Sequence, residues 1–279
     1  MDYFPEDLLG AHTKLIMDPV HGGIPLLTHE VNIIDHPLFQ RLRYICQNDI
    51  LSLVFPGATH SRFLHSIGVM HVGGRMFRAM VENSLKHKPK IKKQISDDTL
   101  NAISFFNQLV RSACLLHDVG HSSFSHQFNR TPTIKQTLSS EGRFETLWKG
   151  ISYKSYYSEP PTHLEHEHFS VRAAWQILND MPKDTLDLPS NDILSLMETV
   201  SIEPSETFKT HAAHLWPLIQ SSDSNNIFED SFQEVPHDFF MDLRKSYAKG
   251  GKHDYQIKVP KLIVLEKDKV IVEKLLKGN

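Results

Sequence analysis

Three histidines and one aspartate, His117, Asp118, His121 and His126, fall within ten residues of a segment otherwise made of apolar and small residues. The adjacent pair His117-Asp118 offers an imidazole nitrogen and a carboxylate oxygen to one cation, the mixed donor set that divalent Zn, Mn, Fe or Ni accepts. His121 and His126 follow closely enough to meet a substrate held by that ion. Two ligands do not complete a metal site, and two other segments supply candidates. Around His60-Ser61-Arg62-Phe63-Leu64-His65, Arg62 and His65 share a helix face at i, i+3. Downstream lies His163-Leu164-Glu165-His166-Glu167-His168. One histidine alone is ordinarily a surface or satisfied core residue. Clustering beside Asp, Arg and Glu in three segments is what points to chemistry. A divalent ion polarises a phosphoryl group and lowers the pKa of water from about 15.7 toward about 7. Arg62 adds planar, permanently charged, bidentate donors suited to a phosphate oxygen.

Helices must deliver these groups. Residues 109–116 read as a buried helix that ends at His117 and Asp118, after which Gly120 loosens the backbone. Ser96-Asp97-Asp98 caps that helix at its start. Residues 61–86 read as a long helix with Phe63, Ile67, Met70, Val72, Met76, Phe77, Met80 and Val81 apolar, its methionines core. Residues 28–47 carry a helical stripe of Ile33, Ile34, Phe39, Leu42 and Ile45, with Pro37 at a break or first-turn position. Gln40, Arg43 and Gln47 fall on one face of it, for which a solvated surface is the rival reading. Another helix runs from His166 through Val171, Ala174, Trp175 and Leu178.

Elsewhere the chain is less informative. Lys14 to Met17 is a short apolar run closed by Asp18-Pro19, and residues 21–25 carry turn chemistry. Residues 129–160 are polar and irregular, a loop or lid bordering the site. Residues 180–190 form a linker, 193–200 a short helix and 220–226 a polar loop. Two β-branched runs around a charged turn at 261–273 read as a hairpin. The expected fold is mostly α, with a core at 1–180 and a C-terminal helical extension at 181–279 that holds a small β-hairpin.

Composition bounds the function classes. The chain has 279 residues, 40% hydrophobic and 23% charged, an ordinary globular balance. Its formal net charge of -3 gives no global nucleic-acid signature. The basic stretch 86–93 reads as a solvated loop, with phosphate or RNA contact the alternative. Cys46 and Cys114 sit in apolar contexts and read as buried thiols of a reducing compartment. Asp2, Glu6 and Asp7 argue against a signal peptide, and no stretch approaches the length of a membrane span. An intracellular, cytoplasmic protein is expected, with the nucleus the alternative.

The ordered motifs resemble those of the HD-domain deoxynucleoside triphosphate triphosphohydrolases, and within them the catalytic domain of the sterile-alpha-motif and HD-domain branch. Asp18-Pro19-Val20-His21-Gly22, the run from Ile33 to Ile45, both histidine motifs and His166-Glu167 carry the likeness, over about residues 14–175. The resemblance implies that His65, His117 and Asp118 ligate a divalent metal (Mn, Fe, Zn, Ni or Mg), joined by a distant carboxylate. The 234–247 segment offers Asp238 for that place, with His237 the ungapped alternative. His121 and His166 would meet the α-phosphate, Arg62 the triphosphate and Gln47 the substrate sugar. His126 would protonate the departing 5′-oxygen. Lys14, Asp35, Gln40 and Arg43 would form a regulatory guanine-nucleotide site between subunits of a homo-oligomer. Asn129 and Lys245 stand where the family has aspartates, and the chain stops before a family helix that carries further substrate contacts.

Three readings follow. The first is a metal-dependent hydrolase releasing triphosphate from a deoxynucleoside triphosphate. The second is a nucleotidase or phosphodiesterase of the same superfamily with another substrate. The third is a catalytically weakened paralogue that binds nucleotides or assembles with a relative.

Overall fold

The computed structural model describes residues 12–86, 95–140, 142–182, 186–197 and 199–219. Fold class is as expected, mostly α, but its β element sits at the other end of the described chain. Strands β1 (His12–Asp18) and β2 (Gly22–Leu27) pair antiparallel, Asp18 opposite Gly22 and Leu15 opposite Pro25. The Asp18 carboxylate accepts the Val20 and His21 amides at 2.8 Å each, and Gly22 takes a left-handed φ of 74° that closes the turn. Residues 14–17 and 21–25, read only as an apolar run and a turn, are therefore two strands. The hairpin expected at 261–273 lies outside the described residues, as do Asp238 and His237.

The chain then bends through α1 (Thr28–Asp35), α2 (Pro37–Gln40) and a 3-10 turn, Arg41–Tyr44. Pro37 occupies the first turn of α2, where its missing N–H costs nothing, and His36 Nδ1 accepts the Leu38 amide at 3.1 Å. The stripe Ile33, Ile34, Phe39, Leu42 and Ile45 is buried throughout. Two long helices, α3 (Arg62–Lys86) and α4 (Asp97–Leu116), pack side by side at the centre. Ser96 caps α4 as expected, its hydroxyl accepting the Thr99 amide at 3.2 Å. Of the α3 stripe, Phe63, Ile67, Met70 and Val81 are core, whereas Val72 and Met76 face solvent. Cys46 is exposed and Cys114 half-buried, with no disulfide between them, which corrects the reading of two buried thiols.

Residues 129–160 are not an irregular lid. They fold into the end of α5 (Ser125–Arg130), α6 (Pro132–Leu138), α7 (Arg143–Leu147) and a 3-10 turn, Tyr153–Ser155. Pro132 starts a helix rather than breaking one, and Phe144, Trp148, Tyr156 and Tyr157 are buried apolar anchors. Helix α8 (His166–Asp180) follows, then α9 (Ser190–Ser195) and α10 (Glu206–Ile219), both packed on α4. Ile193 and Leu215 thereby join the same apolar cluster as Leu109 and Ile67. No helix among the described residues is long and apolar enough to cross a membrane.

One buried ion pair ties the hairpin end to the central helices. Glu30 on α1 is fully buried, and its carboxylate receives Arg111 of α4 through Nε at 2.6 Å and a terminal nitrogen at 2.7 Å. Glu30 also accepts the Leu27 amide at 2.9 Å, and Arg111 reaches the Pro25 carbonyl at 3.0 Å. Removing one partner leaves a naked charge in the core. Glu30→Ala should therefore lower unfolding free energy by about 3–5 kcal/mol in a urea titration, whereas Glu30→Leu combined with Arg111→Met should recover most of that loss.

Candidate functional site

Three chain segments bring the polar groups together. Helix α4 is apolar to its last turn (Leu115 and Leu116 are buried), so its C-terminal cap, His117, and the following Asp118 emerge beside the core. Helix α3 is fixed at its start by a short antiparallel bridge between Cys46 and Ser61. Arg62 N–H donates to the Ile45 carbonyl at 2.8 Å, and Gln47 N–H to the His60 carbonyl at 3.0 Å. That bridge aims the first turn of α3, with Arg62 and His65, at Asp118. Helix α8 supplies His166 from its own first turn.

The third approach depends on Gly120. Its φ is not in the left-handed region, so backbone freedom is not why glycine is needed. A Cβ there would lie 2.0 Å from the Ser170 nitrogen and 2.3 Å from the Phe169 carbonyl carbon, so α8 crosses the 117–121 turn at bare-backbone distance. The Gly120 amide donates to Ser170 Oγ at 2.9 Å.

Asp118 stands at the centre. Its Oδ2 lies 3.4 Å from His117 Nε2, 3.6 Å from His65 Nε2 and 2.5 Å from an Arg62 terminal nitrogen. Its Oδ1 lies 3.4 Å from His121 Nε2. Burial acts to raise the Asp118 carboxyl, but hydrogen bonds from His117 and His121 outweigh it and hold the group well below the usual carboxylate range. His117 shows the converse balance: burial lowers it, while Asp118 and the Cys114 carbonyl net raise it above its ordinary 6.5. The Cys114 carbonyl, 2.7 Å from His117 Nδ1, can only accept, so the proton sits on Nδ1 and Nε2 faces the carboxylate. Burial lowers His65.

His65, His117 and Asp118 present donor atoms within 4.8 Å of one another. Two imidazoles and a carboxylate with one ring already oriented by a carbonyl fit a divalent transition ion, with room for a further ligand. A second group, His121, His126 and His166, meets the same distance criterion. His121 and His166 stack with centroids 3.9 Å apart, and His126 stands edge-on to both at 5.0 Å. Burial first, then the neighbouring His121 and His126, push His166 down to about 3. It is therefore neutral at physiological pH, which lets two rings stack without like-charge repulsion.

His65, His117, His121, His126 and His166 thus lie at one locus, in two groups linked by the contact of His121 with Asp118. Arg62 is 1% exposed, and its guanidinium is engaged by Asp118 and by the Gln47 carbonyl at 3.4 Å. Gln47 contributes that carbonyl, and its side-chain Oε1 is buried with no hydrogen-bond partner. Lys14 and Asp35 form a separate exposed pair at 3.1 Å. Gln40 binds the Ile34 carbonyl at 2.7 Å and receives Arg43 Nε at 2.7 Å, and Arg43 lies 3.6 Å over the Phe63 ring. Ser170 and the Cys114 carbonyl were not legible in the sequence, because a backbone acceptor and a lone serine carry no motif.

Two outcomes follow. Gly120→Ala should cost about 3 kcal/mol, the upper end of overpacking because backbone rather than a side chain must yield, readable as a lowered melting temperature. Binding of Mn(II), followed by EPR of the free ion, should weaken on acidification from about pH 8 to about pH 6. The sign is set by His117, whose raised pKa places proton competition above 6.5, while Asp118 stays ionised throughout.

Comparison with known proteins agrees with this geometry. A family model described as HD domain matches residues 62–198. The chain is 32% identical over 232 residues to the deoxynucleoside triphosphate triphosphohydrolase SAMHD1 of Bos taurus, 76% of this chain and 33% of that protein. Against the Homo sapiens protein of the same name it is 36% identical over 194 residues, 69% of this chain and 24% of the relative. The Dictyostelium discoideum homolog is 39% identical over 228 residues, 82% of this chain and 36% of the relative. The chain therefore spans between 24% and 36% of the length of these curated relatives. With its histidine motifs gathered on one buried aspartate, the chain belongs to the HD-domain family, on the branch of the deoxynucleoside triphosphate triphosphohydrolases.

Proposed function

We propose that the chain is a metal-dependent phosphohydrolase that converts a deoxynucleoside triphosphate to deoxynucleoside and inorganic triphosphate. The observation that carries this reading is the convergence of two histidine groups and Arg62 on Asp118, which sets a cation site against an anion-facing wall. His65, His117 and Asp118 would hold the ion, and we assign its fourth protein ligand to Asp238, with His237 the alternative. A divalent ion bound there supplies Lewis-acid polarisation of a phosphoryl oxygen and a more acidic water.

The chain's own groups do the rest. His121 and His166 face the α-phosphate, and His126, exposed at the rim, donates a proton to the 5′-oxygen as the bond between that oxygen and the α-phosphorus breaks. Water supplies the new oxygen on phosphorus. Arg62 takes a triphosphate oxygen by exchanging it for Asp118, whose charge the ion then offsets. Gln47 Oε1, buried and unsatisfied, accepts from a sugar hydroxyl. A regulatory guanine nucleotide is assigned to Lys14, Asp35, Gln40 and Arg43, whose present partners are largely one another. Homo-oligomerisation is supported by the exposed apolar run Tyr44, Leu53, Val54 and Phe55.

The reading is tested by incubating the protein and Mn(II) with each deoxynucleoside triphosphate and resolving the products. Deoxynucleoside with intact triphosphate is expected. His126→Ala should slow turnover by about 10²–10⁴-fold, and His117→Ala with Asp118→Ala should abolish it. Mono- or diphosphate products would instead assign another phosphohydrolase activity. Nucleotide binding without turnover would assign the nucleotide-binding paralogue, for which the departures from the family pattern in the 234–247 segment, Lys245 among them, are the motivation.

A further inference from the structure

We infer that Arg41 is the positioning residue of the site, holding the 118–121 turn through its backbone carbonyls; the catalytic part of this inference rests on the phosphohydrolase reading above. Arg41 opens the 3-10 turn Arg41–Tyr44, far in sequence from the histidine motifs. One terminal nitrogen of its guanidinium donates to the His121 carbonyl at 2.5 Å and the other to the Val119 carbonyl. Those two carbonyls bracket Gly120 and lie on either side of the bond network that carries Asp118 and His121. Within the turn the backbone bonds are Val119 to Leu116 and His121 to Asp118, at 3.1 Å each, and from outside it Ser170 Oγ takes the Gly120 amide at 2.9 Å.

The clamp is rigid at its other end. Arg41 stands between Phe39 and Leu42, both fully buried, so the backbone from which the side chain reaches is fixed by the core. A guanidinium is a planar fork whose two terminal nitrogens can span two acceptors at once, which an ammonium cannot do from one point. Charge-assisted bonds of this kind are about twice as strong as neutral ones. At Gly120 itself no side chain can pack the turn in place, because α8 occupies that space. Val119 packs into the core, Ser170 Oγ takes the Gly120 amide on one side, and Arg41 grips the two carbonyls on the other. Both acceptors are backbone carbonyls, so Arg41 acts through His121 and Asp118 rather than on the reacting atoms.

The test compares wild type with Arg41→Lys and Arg41→Met. Amide hydrogen–deuterium exchange over peptides covering 117–124 reads the clamp whether or not the protein turns over any nucleotide. We expect exchange in that stretch to accelerate about tenfold in both variants, with the middle of α3 and α4 unchanged. Turnover, measured with the deoxynucleoside triphosphate that wild type cleaves, should lose about 100-fold in kcat for Arg41→Lys, since a displacement of about 1 Å at a reacting group costs that much. KM should stay within about twofold, because substrate contacts are retained. Wild-type exchange across 117–124 in both variants would overturn the inference. So would a melting temperature that falls while the surviving folded enzyme keeps wild-type kcat, which would make Arg41 merely structural. If wild type cleaves nothing, the phosphohydrolase reading fails and the exchange result alone still decides the clamp.

Discussion

A carboxylate taken out of water must be compensated where it stands, and Asp118 is that carboxylate. An isolated ionised acid in a protein interior would cost far more than the whole stability of a domain, so it survives only by partnership. Its partners are Arg62 and His65 from α3, His117 from α4 and His121 from the turn. Satisfying one charge therefore fixes how the central helices end relative to each other. The same requirement explains why Arg62 leans on Asp118 here: a guanidinium supplies the positive charge that a divalent ion would supply.

The packing around that charge leaves little slack. Gly73 on α3 sits where a Cβ would be 2.6 Å from Cys114 Sγ, and Cys114 is the residue whose carbonyl orients His117. Close approach of α3 to α4 is thus tied to the orientation of a metal-facing ring. Farther along α4, Arg111 is locked to Glu30, so the helix that delivers His117 is anchored to the hairpin end of the molecule as well. Gly120 plays the equivalent part toward α8. Each close contact is made by a residue with no β-carbon or by a bidentate pair, and none could be replaced by looser apolar packing without moving the site.

What the sequence made legible follows from the range of each interaction. Arg62 with His65, and His117 with Asp118, are local pairs on or beside helices, and periodicity plus the cap at Ser96 placed both. The buried stripe from Ile33 to Ile45 was legible for the same reason. Stacking of His121 on His166 spans 45 positions and depends on how α8 crosses the turn, which no spacing encodes. The role of Gly120 was misread, as freedom rather than space, because a close approach has no local signature. Residues 129–160 looked irregular since their polar surface hid the anchors Phe144 and Trp148, and the β1–β2 pairing was obscured by an apolar run too short to show alternation.

His117 and His166 differ in charge, and that difference follows from the groups each one faces. His117, against Oδ2 and a carbonyl, is stabilised as a cation. His166 is half-buried beside two other imidazoles, and although the Glu167 carboxylate lies 3.3 Å from its Nε2, desolvation prevails and it stays neutral. A ring that is neutral and stacked presents an N–H donor to an anion without bringing a counter-charge that would trap it. The wall facing a phosphate would therefore orient it by hydrogen bonds, leaving the charge balance to Arg62 and to the ion at Asp118. Under the proposed function, opposed protonation beside one aspartate would separate cation holding from anion orienting within a few ångströms.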